Sequence, residues 1–417
     1  MLPLLIILIF LISAALMLAR KLPAILAVPA MAILFAASAR VPLEQILNQV
    51  IAAGATRLAD AYVMVLAGAM LGRVVMQTGI AEGIIKRAAE FGGDRPLVVA
   101  ITLMVAVALL FTALFGLGAV IMVGGLALPI MMSIGVPRKL AGILFLLAFA
   151  LGLIFNIGMW GFYQKSLNLD PQAVKGFAAV LAVIDASLIA VFLFVASRRM
   201  TAYGAWAVAL EEVKKHDVPL LALVVPLLPL VLHIGLGWHV VPAFFAGALL
   251  GVLLTRPRET VKQLSSAAVK GLEDVAPAVI LMIGIGMLLN ATMLPPVKLA
   301  LEPIVRAVNF SSPLVYVLFF SLLSPLTLYR GPLNPYGIGI GVYALIGNLG
   351  LLPPLALLAA VMSVVQVQSV CDPTNTHNVW VANYVGVRVE EITRATLTYK
   401  MIVCLLGLVV GSFLYLR

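Results

Sequence analysis

Long apolar runs separated by short polar loops dominate this chain. Ten of the runs carry almost no charge and approach the ~20 residues that an α-helix needs to cross the ~30 Å hydrocarbon core of a bilayer. They are residues 2–19, 22–39, 59–77, 140–158, 174–196, 218–235, 239–255, 275–293, 355–372 and 396–416. The pattern predicts an all-α integral membrane protein with about ten transmembrane helices.

Two further apolar segments, residues 96–136 and 313–352, are longer and are interrupted near their middles by Gly or Pro clusters. Each could form two spans, or one re-entrant helical hairpin that enters and leaves the membrane on the same side. Loop charge favours the hairpins, because basic residues collect in cytoplasmic loops. With two hairpins, eighteen basic residues fall on one face and seven on the other. We therefore expect two re-entrant hairpins and both termini outside.

The order of elements repeats along the chain. A shift of 217 residues places Pro96 on Pro313, and a shift of 214 residues places Asp60 on Asp274. Each half then contains two spans, a third that begins near an acidic residue, a hairpin, and two final spans. The two aspartates are interpreted as caps of helix N-termini.

An odd number of crossings per half requires the two halves to run in opposite directions through the membrane, as in the inverted repeats of many secondary transporters. We expect a first repeat over residues 1–200 and a second, inverted repeat over residues 218–417. Residues 201–217, which are more polar, would form a cytoplasmic linker.

Composition excludes several other classes of protein. The chain is 63% hydrophobic and 11% charged, more apolar than a water-soluble fold can bury. Its net charge of +10 resides mostly in short loops, a pattern that orients helices in a membrane rather than one that binds nucleic acid. Neither cysteine has metal-ligand or disulfide spacing, and no HExxH or nucleophile-elbow motif is present. We expect a multi-pass protein of the plasma (inner) membrane that is not an enzyme and needs no metal or cofactor.

Interrupted helices are the places to look for a binding site, because non-helical backbone at membrane depth needs protein or a water-filled cavity to satisfy its polar groups. The first hairpin breaks around Gly116 and Gly118, and the span after it carries Asn156. The second hairpin breaks over residues 324–335, and the span after it ends in the polar segment 371–378. These four breaks lie at equivalent places in the two halves and are predicted to bind substrate.

Arg330 lies in the middle of the second apolar hairpin. A guanidinium there costs from ~3 to more than 10 kcal/mol, so it requires a partner or water. Its planar fork suits a carboxylate held by two parallel hydrogen bonds. The alternative is a fixed ion pair with Asp372 that pins the hairpin. We favour substrate binding by Arg330 and its neighbour Asn334, because open helix ends at the same tip also favour anions.

The segment from Asp372 to Asn378 is the densest polar cluster in an apolar setting. Pro373 interrupts the helix, and the residues after it could hold a hydroxylated substrate or a hydrated ion. The alternative is an ordinary surface loop. His377 can carry a coupling proton because imidazole titrates near neutral pH, although a lone histidine also serves as a structural hydrogen-bonding group. Asp372 could instead take the proton or bind sodium. The predicted substrate ligands of this segment are Thr374, Asn375, Thr376 and Asn378.

Asp185 is surrounded by apolar residues on both sides. A carboxylate inside a membrane segment is a functional candidate by default, here for ion or proton coupling. A scaffold contact with Lys400, at the matching place in the other half, is the alternative.

This layout resembles the ion transporter superfamily, the group that contains gluconate, citrate and C4-dicarboxylate permeases. The resemblance rests on the two broken hairpins, on LYRGPLNPYGIGIG at residues 328–341 and on CDPTNTHNVWVANYVGV at residues 371–387. It implies a homodimer, an elevator-like movement, and substrate and coupling ion bound between hairpin tips and broken helices. The residues to which it gives roles are Arg330, Asn334, Thr374, Asn375, Thr376 and His377.

The chain departs from sodium-coupled members of that group, which often carry Ser-Asn-Thr at both hairpin tips. Its own tips read LFGLGA and RGPLNP. We therefore expect coupling to protons rather than to sodium. The resulting hypothesis is a symporter of a small organic anion such as a hydroxy- or dicarboxylate, and the alternative is an ion antiporter or channel without an organic substrate.

Overall fold

A computed structural model of the protein describes its helices almost completely. The described residues contain helices, turns and no strand, which confirms the predicted all-α fold, and they are 2–19, 21–93, 95–170, 173–200 and 218–416. The predicted linker at residues 201–217 lies outside them.

Eleven α-helices make up the first half of the described chain. A seven-residue π-helical segment, Ile46–Ala52, joins α3 to α4. The helices are α1 (Leu2–Leu18), α2 (Ala24–Ser38), α3 (Leu43–Gln45), α4 (Ala53–Thr56), α5 (Ala59–Gln77), α6 (Ile80–Gly92), α7 (Pro96–Phe111), α8 (Gly116–Ser133), α9 (Arg138–Ile154), α10 (Ile157–Leu167) and α11 (Ala173–Met200).

Nine α-helices follow in the described part of the second half. Short 3₁₀ segments lie at Leu220–Leu227, Pro257–Glu259 and Ser324–Arg330. The helices are α12 (Leu228–Leu236), α13 (Val240–Thr255), α14 (Thr260–Met293), α15 (Pro295–Arg306), α16 (Pro313–Leu322), α17 (Gly339–Asn348), α18 (Pro354–Cys371), α19 (Thr376–Val385) and α20 (Val389–Tyr415).

Every predicted span corresponds to an observed helix or pair of helices, but the lengths differ from the prediction. Seven helices of the described chain are long and apolar enough to cross a membrane, or eight if the pair α9 and α10, bent by 57°, is one span. These seven include one arm from each hairpin. Helices α1, α2 and α13 have 15 to 17 residues, fewer than the ~20 needed to cross the hydrocarbon core without tilt or thinning.

The two long helices at equivalent places in the halves, α5 and α14, pack directly against each other. Glycines permit the close approach. A side chain on Gly271 would collide with the backbone of Ala69 and Met70 in α5, and one on Gly286 would collide with the backbone of Gly54 in the preceding α4. Small residues of this kind are typical of tight helix pairs in membranes, where lipid is as apolar as leucine. The first and second halves of the chain are therefore joined through α5 and α14.

The first interrupted segment folds as two helices that pack on each other, and the second folds as two helices, α16 and α17, joined by a bent segment. Pro96 and Pro313 stand at the first position of the leading arms α7 and α16, where proline needs no hydrogen-bond partner for its nitrogen. In the first hairpin, α7 packs against α8, and in the second the arm α17 packs against α14 and α18. Each tip ends beside the break of another span, at α9 and α10 for the first and at α18 and α19 for the second. Re-entry of both segments on one side of the membrane stays a prediction.

Labelling with a membrane-impermeant thiol reagent tests the first hairpin. Lys86 and Arg138 flank it and are exposed, so single cysteines at these positions should be labelled from the same side of the membrane. The native Cys371 and Cys404 are fully buried and should give a low background. Labelling of the two positions from opposite sides would show that the segment crosses completely and would remove the proposed inverted repeat.

Candidate functional site

The four helix breaks surround one cavity of about 330 Å³. The long helix α14 supplies much of its remaining wall. The predicted breaks are thus confirmed, and elements from both halves meet at one place. The breaks contribute Phe115 and Gly116 from the first hairpin, Ile154 from α9, Arg330 and Tyr336 from the second hairpin, and Asn375, Thr376 and His377 from the last break.

Asn156 fastens the first hairpin to the break between α9 and α10. Its side-chain Nδ2 donates hydrogen bonds of 3.0 Å to the carbonyl oxygens of Phe111 and Leu114 at the hairpin tip. Its Oδ1 accepts from the N–H of Met159 and caps α10. The residue is buried and lies outside the cavity lining. Asn156, predicted to touch substrate, instead satisfies backbone groups that the two breaks leave open.

Asp372 binds open backbone groups at the tip of the second hairpin. Tyr329 and Arg330 adopt left-handed backbone conformations, with φ of 57° and 59°. Their N–H groups consequently point at the Asp372 carboxylate, with N···O distances of 2.9 and 3.4 Å. The same carboxylate accepts from the N–H and the hydroxyl of Thr374 at 2.9 and 2.7 Å. Asp372 is therefore fully buried and occupied by four donors.

The Arg330 guanidinium is left facing the cavity. Its Nη1 donates to the carbonyl oxygen of Tyr336 at 3.1 Å. The fixed ion pair with Asp372 is not formed, because that carboxylate binds the hairpin backbone instead. Among the residues that the structure describes, no carboxylate forms a salt bridge with Arg330.

Two of the predicted substrate ligands hold the scaffold together. Asn334 donates from Nδ2 to the carbonyl oxygen of Thr327 and accepts at Oδ1 from the N–H of Tyr336. Asn378 donates from Nδ2 to the backbone oxygen of Asp372. Both asparagines are completely buried and do not line the cavity, and neither does Thr374. In this structure these three residues support the scaffold, and their direct contact with substrate stays a prediction.

Asn375, Thr376 and His377 do line the cavity. Asn375 and Gln368 bind each other, with the Gln368 Nε2 donating to Asn375 Oδ1 and the Asn375 Nδ2 donating to the Gln368 backbone oxygen. Thr376 is exposed and begins α19. The break therefore presents one engaged amide, one hydroxyl and one imidazole to a ligand.

A hydrogen bond to the backbone defines which ring nitrogen of His377 carries hydrogen. Its Nε2 lies 3.0 Å from the carbonyl oxygen of Ser369, and a carbonyl only accepts, so Nε2 carries hydrogen. The remaining nitrogen, Nδ1, is the one that can gain or lose a proton. The ring lies 4.7 Å from that of Phe149, measured between centroids, on the apolar side of the cavity.

Asp185 lies away from this cavity. Its Oδ1 accepts from Lys400 Nζ at 2.6 Å, and each side chain is 1% exposed. The pair joins α11 to α20, the last spans of the two halves, as in the scaffold interpretation. Removing one member would leave an uncompensated buried charge, which explains why both are present.

The sequence analysis missed an ion pair at the cavity wall. Asp274 lies inside α14 and not at its N-terminus, so the interpretation as a cap is wrong. Both of its carboxylate oxygens accept from Arg73, which lies within α5. The two residues are 201 positions apart in the chain. In the sequence Asp274 stands next to Glu273 and directly before the apolar run 275–293, so nothing distinguished it from an acid at a helix N-terminus.

Asp274 also holds the tip of the first hairpin. Helix α8 begins at Gly116, and a side chain on Gly118 would overlap the Asp274 carboxylate. The carboxylate is thus placed at the positive end of the α8 dipole. Gly116 lines the cavity, has φ of 87° and packs against the Asp274 backbone. Gly118 does not line the cavity but permits this contact.

Comparisons with known proteins give a fold but no family. No protein-family model matches the sequence, and no curated protein matches it. The solved structure of the YdaH transporter of Alcanivorax borkumensis, described as having an unusual topology, is similar to this chain with a TM-score of 0.64. The identity is 15%, over 99% of this chain and 98% of that chain.

The chain therefore has the fold of a multi-pass membrane transporter. The likeness does not show membership of the ion transporter superfamily, which stays a prediction. The likeness also leaves substrate, coupling ion and movement open.

Gly118→Ala tests the contact between hairpin and Asp274. The new methyl group would displace the carboxylate from the start of α8, so we expect a lower unfolding temperature and reduced transport. Gly125→Ala is the matched control, because it lies on the same helix with open space around it. Both are measured by thermal unfolding and by uptake into proteoliposomes. If the two variants behave alike, the tip does not depend on this contact.

Proposed function

We propose that this protein is a secondary active transporter that carries a small organic anion together with a proton. One observation carries the proposal, namely the Arg330 guanidinium that faces a cavity bordered by all four helix breaks and forms no salt bridge within the described chain. A positive charge in such a place is costly unless a ligand or water compensates it. A carboxylate fits its donor geometry best.

The position of the cavity favours alternating access. Its walls come from α14, which packs with α2 and α5, and from the hairpins with α9 and α18. The hairpin arms α8 and α17 contact α14 directly, so the hairpin group lies against this helix. Movement of the hairpin group along the α5 and α14 pair would expose one site to each side in turn. We propose an elevator-type movement in a homodimer of the plasma (inner) membrane.

The arrangement favours His377 over Asp372 as the carrier of the coupling proton. Protonation of Asp372 would weaken four hydrogen bonds that hold the second hairpin tip. Protonation of His377 at Nδ1 leaves its bond to Ser369 intact and adds charge beside the bound anion. We propose protons and not sodium because neither hairpin tip carries the Ser-Asn-Thr triplet.

Arg330→Gln tests the anion site. The variant keeps hydrogen-bond donors but loses the charge, so uptake of every carboxylate in a panel should fall by at least about tenfold, since charged hydrogen bonds contribute ~1.5–3 kcal/mol. Arg388→Gln is the control, because that side chain is 78% exposed at the start of α20. Purified variants are compared in proteoliposomes under an imposed pH gradient.

Full carboxylate uptake by Arg330→Gln would refute the central role of this residue. Ion flux in wild-type protein that proceeds equally without any carboxylate would instead establish an antiporter or channel.

His377→Gln tests proton coupling. Glutamine can still donate to the Ser369 carbonyl but does not titrate, so accumulation driven by a pH gradient should be lost while carboxylate exchange across the membrane continues. The control is His239→Gln, an exposed histidine at the start of α13. Both processes are measured with the same labelled carboxylate. Gradient-driven accumulation at the wild-type level in His377→Gln would exclude this histidine as the carrier.

A further inference from the structure

The charge and polarity of the cavity point to a narrower class of cargo. We infer that the cargo is a monocarboxylate with an apolar body, in place of the hydroxy- or dicarboxylate that the sequence led us to expect. This inference rests on the proposed function, because it assumes that Arg330 binds the carboxylate.

The first argument is charge balance. Three charged or titratable groups other than tyrosine line the cavity within the described chain, namely Arg330, Asp274 and His377. Asp274 is neutralised by Arg73, and the charge of Arg330 is offset at longer range by the buried Asp372. The empty site is then neutral overall. One carboxylate that enters with one proton on His377 keeps it neutral, whereas a second carboxylate would find no cation.

The second argument is the supply of hydrogen bonds. A sugar acid or a hydroxy-tricarboxylate needs many free donors and acceptors, since each hydroxyl buried without a partner is costly. Two amides near the cavity are already engaged, Asn375 with Gln368 and Asn334 with the hairpin backbone. The free polar positions that remain on the lining are few, chiefly the Thr376 side chain and His377 Nδ1.

The third argument is the apolar wall. The rest of the lining is mainly aliphatic, aromatic and thioether side chains, of which three are methionines that adapt to different shapes. A volume of about 330 Å³ is at the small end of the ~300–1,000 Å³ typical of small-molecule sites. Burial of an apolar body against this wall is favourable, whereas burial of a polar one is not. The residues that form the wall include Phe115, Phe149, Met159, Met282, Ile285 and Met362.

Binding to the whole protein in lipid nanodiscs tests the inference. The probes are hexanoate and phenylacetate as apolar monocarboxylates, succinate as a dicarboxylate, citrate as a tricarboxylate and gluconate as a sugar acid. Hexanamide, which has the same apolar body as hexanoate without the charge, controls for partition into lipid. We expect the two apolar monocarboxylates to bind at least about tenfold more tightly than the other four compounds. Arg330→Gln should remove this difference in affinity.

A wall variant gives an independent readout. Met282→Gln keeps the length of the side chain but makes the wall polar, so it should weaken hexanoate binding severalfold while leaving succinate binding unchanged. Met293→Gln is the control on the same helix α14, because Met293 is exposed and does not line the cavity. Thermal unfolding without ligand shows whether each variant is folded, and the ligand panel on wild-type protein stands even if one is not.

The outcomes separate the two proposals. Tighter binding of succinate, citrate or gluconate than of hexanoate, still dependent on Arg330, would overturn the inference and leave the proposed function intact. Equal binding of hexanoate and hexanamide, with no carboxylate sensitive to Arg330, would overturn both.

Discussion

Each helix break at membrane depth leaves backbone N–H and C=O groups that lipid cannot bind, and each unpaired group costs several kcal/mol. In this fold the backbone groups left open at each hairpin tip are bound by a side chain that lies at the break of a neighbouring span. Asn156, at the break of α9 and α10, binds the carbonyls of the first hairpin tip, and Asp372, at the break of α18, binds the N–H groups of the second. Breaks that satisfy one another must lie side by side, and this requirement pairs the two breaks within each half. The contact of Asp274 with the start of α8 then joins the first hairpin tip to the second half, beside the cavity.

The same arrangement determines which charges remain available. Asp372 is committed to the hairpin backbone and Asp274 to Arg73 and the start of α8. Asp185 and Lys400 pair with each other at a distance from the cavity. Arg330 differs from these residues, because its backbone is fixed by Asp372 while its guanidinium faces open space. The transporter hypothesis depends on this difference between a backbone that is hydrogen-bonded and a guanidinium that forms no salt bridge within the described chain.

Apolar runs and clusters of Pro and Gly were enough to predict the helices and the four breaks, because these follow from local chain chemistry. The direction of individual side chains was not predictable. Arg330 and Asn334 belong to the same tip, yet the left-handed turn at Tyr329 and Arg330 leaves one facing the cavity and the other facing the hairpin backbone. The Arg73 and Asp274 pair joins positions 201 residues apart, and a single sequence contains no distance information of that kind.

The central claim is that Arg330 gives the cavity a positive potential that attracts anions, and thiol chemistry measures this directly. Thr376 is exposed and lines the cavity, so a cysteine there can react with thiol reagents of opposite charge but similar size. The account predicts that the anionic reagent reacts faster than the cationic one, and that Arg330→Gln, but not Arg388→Gln, reduces this ratio severalfold. A ratio that is unchanged by the loss of Arg330 would contradict the account.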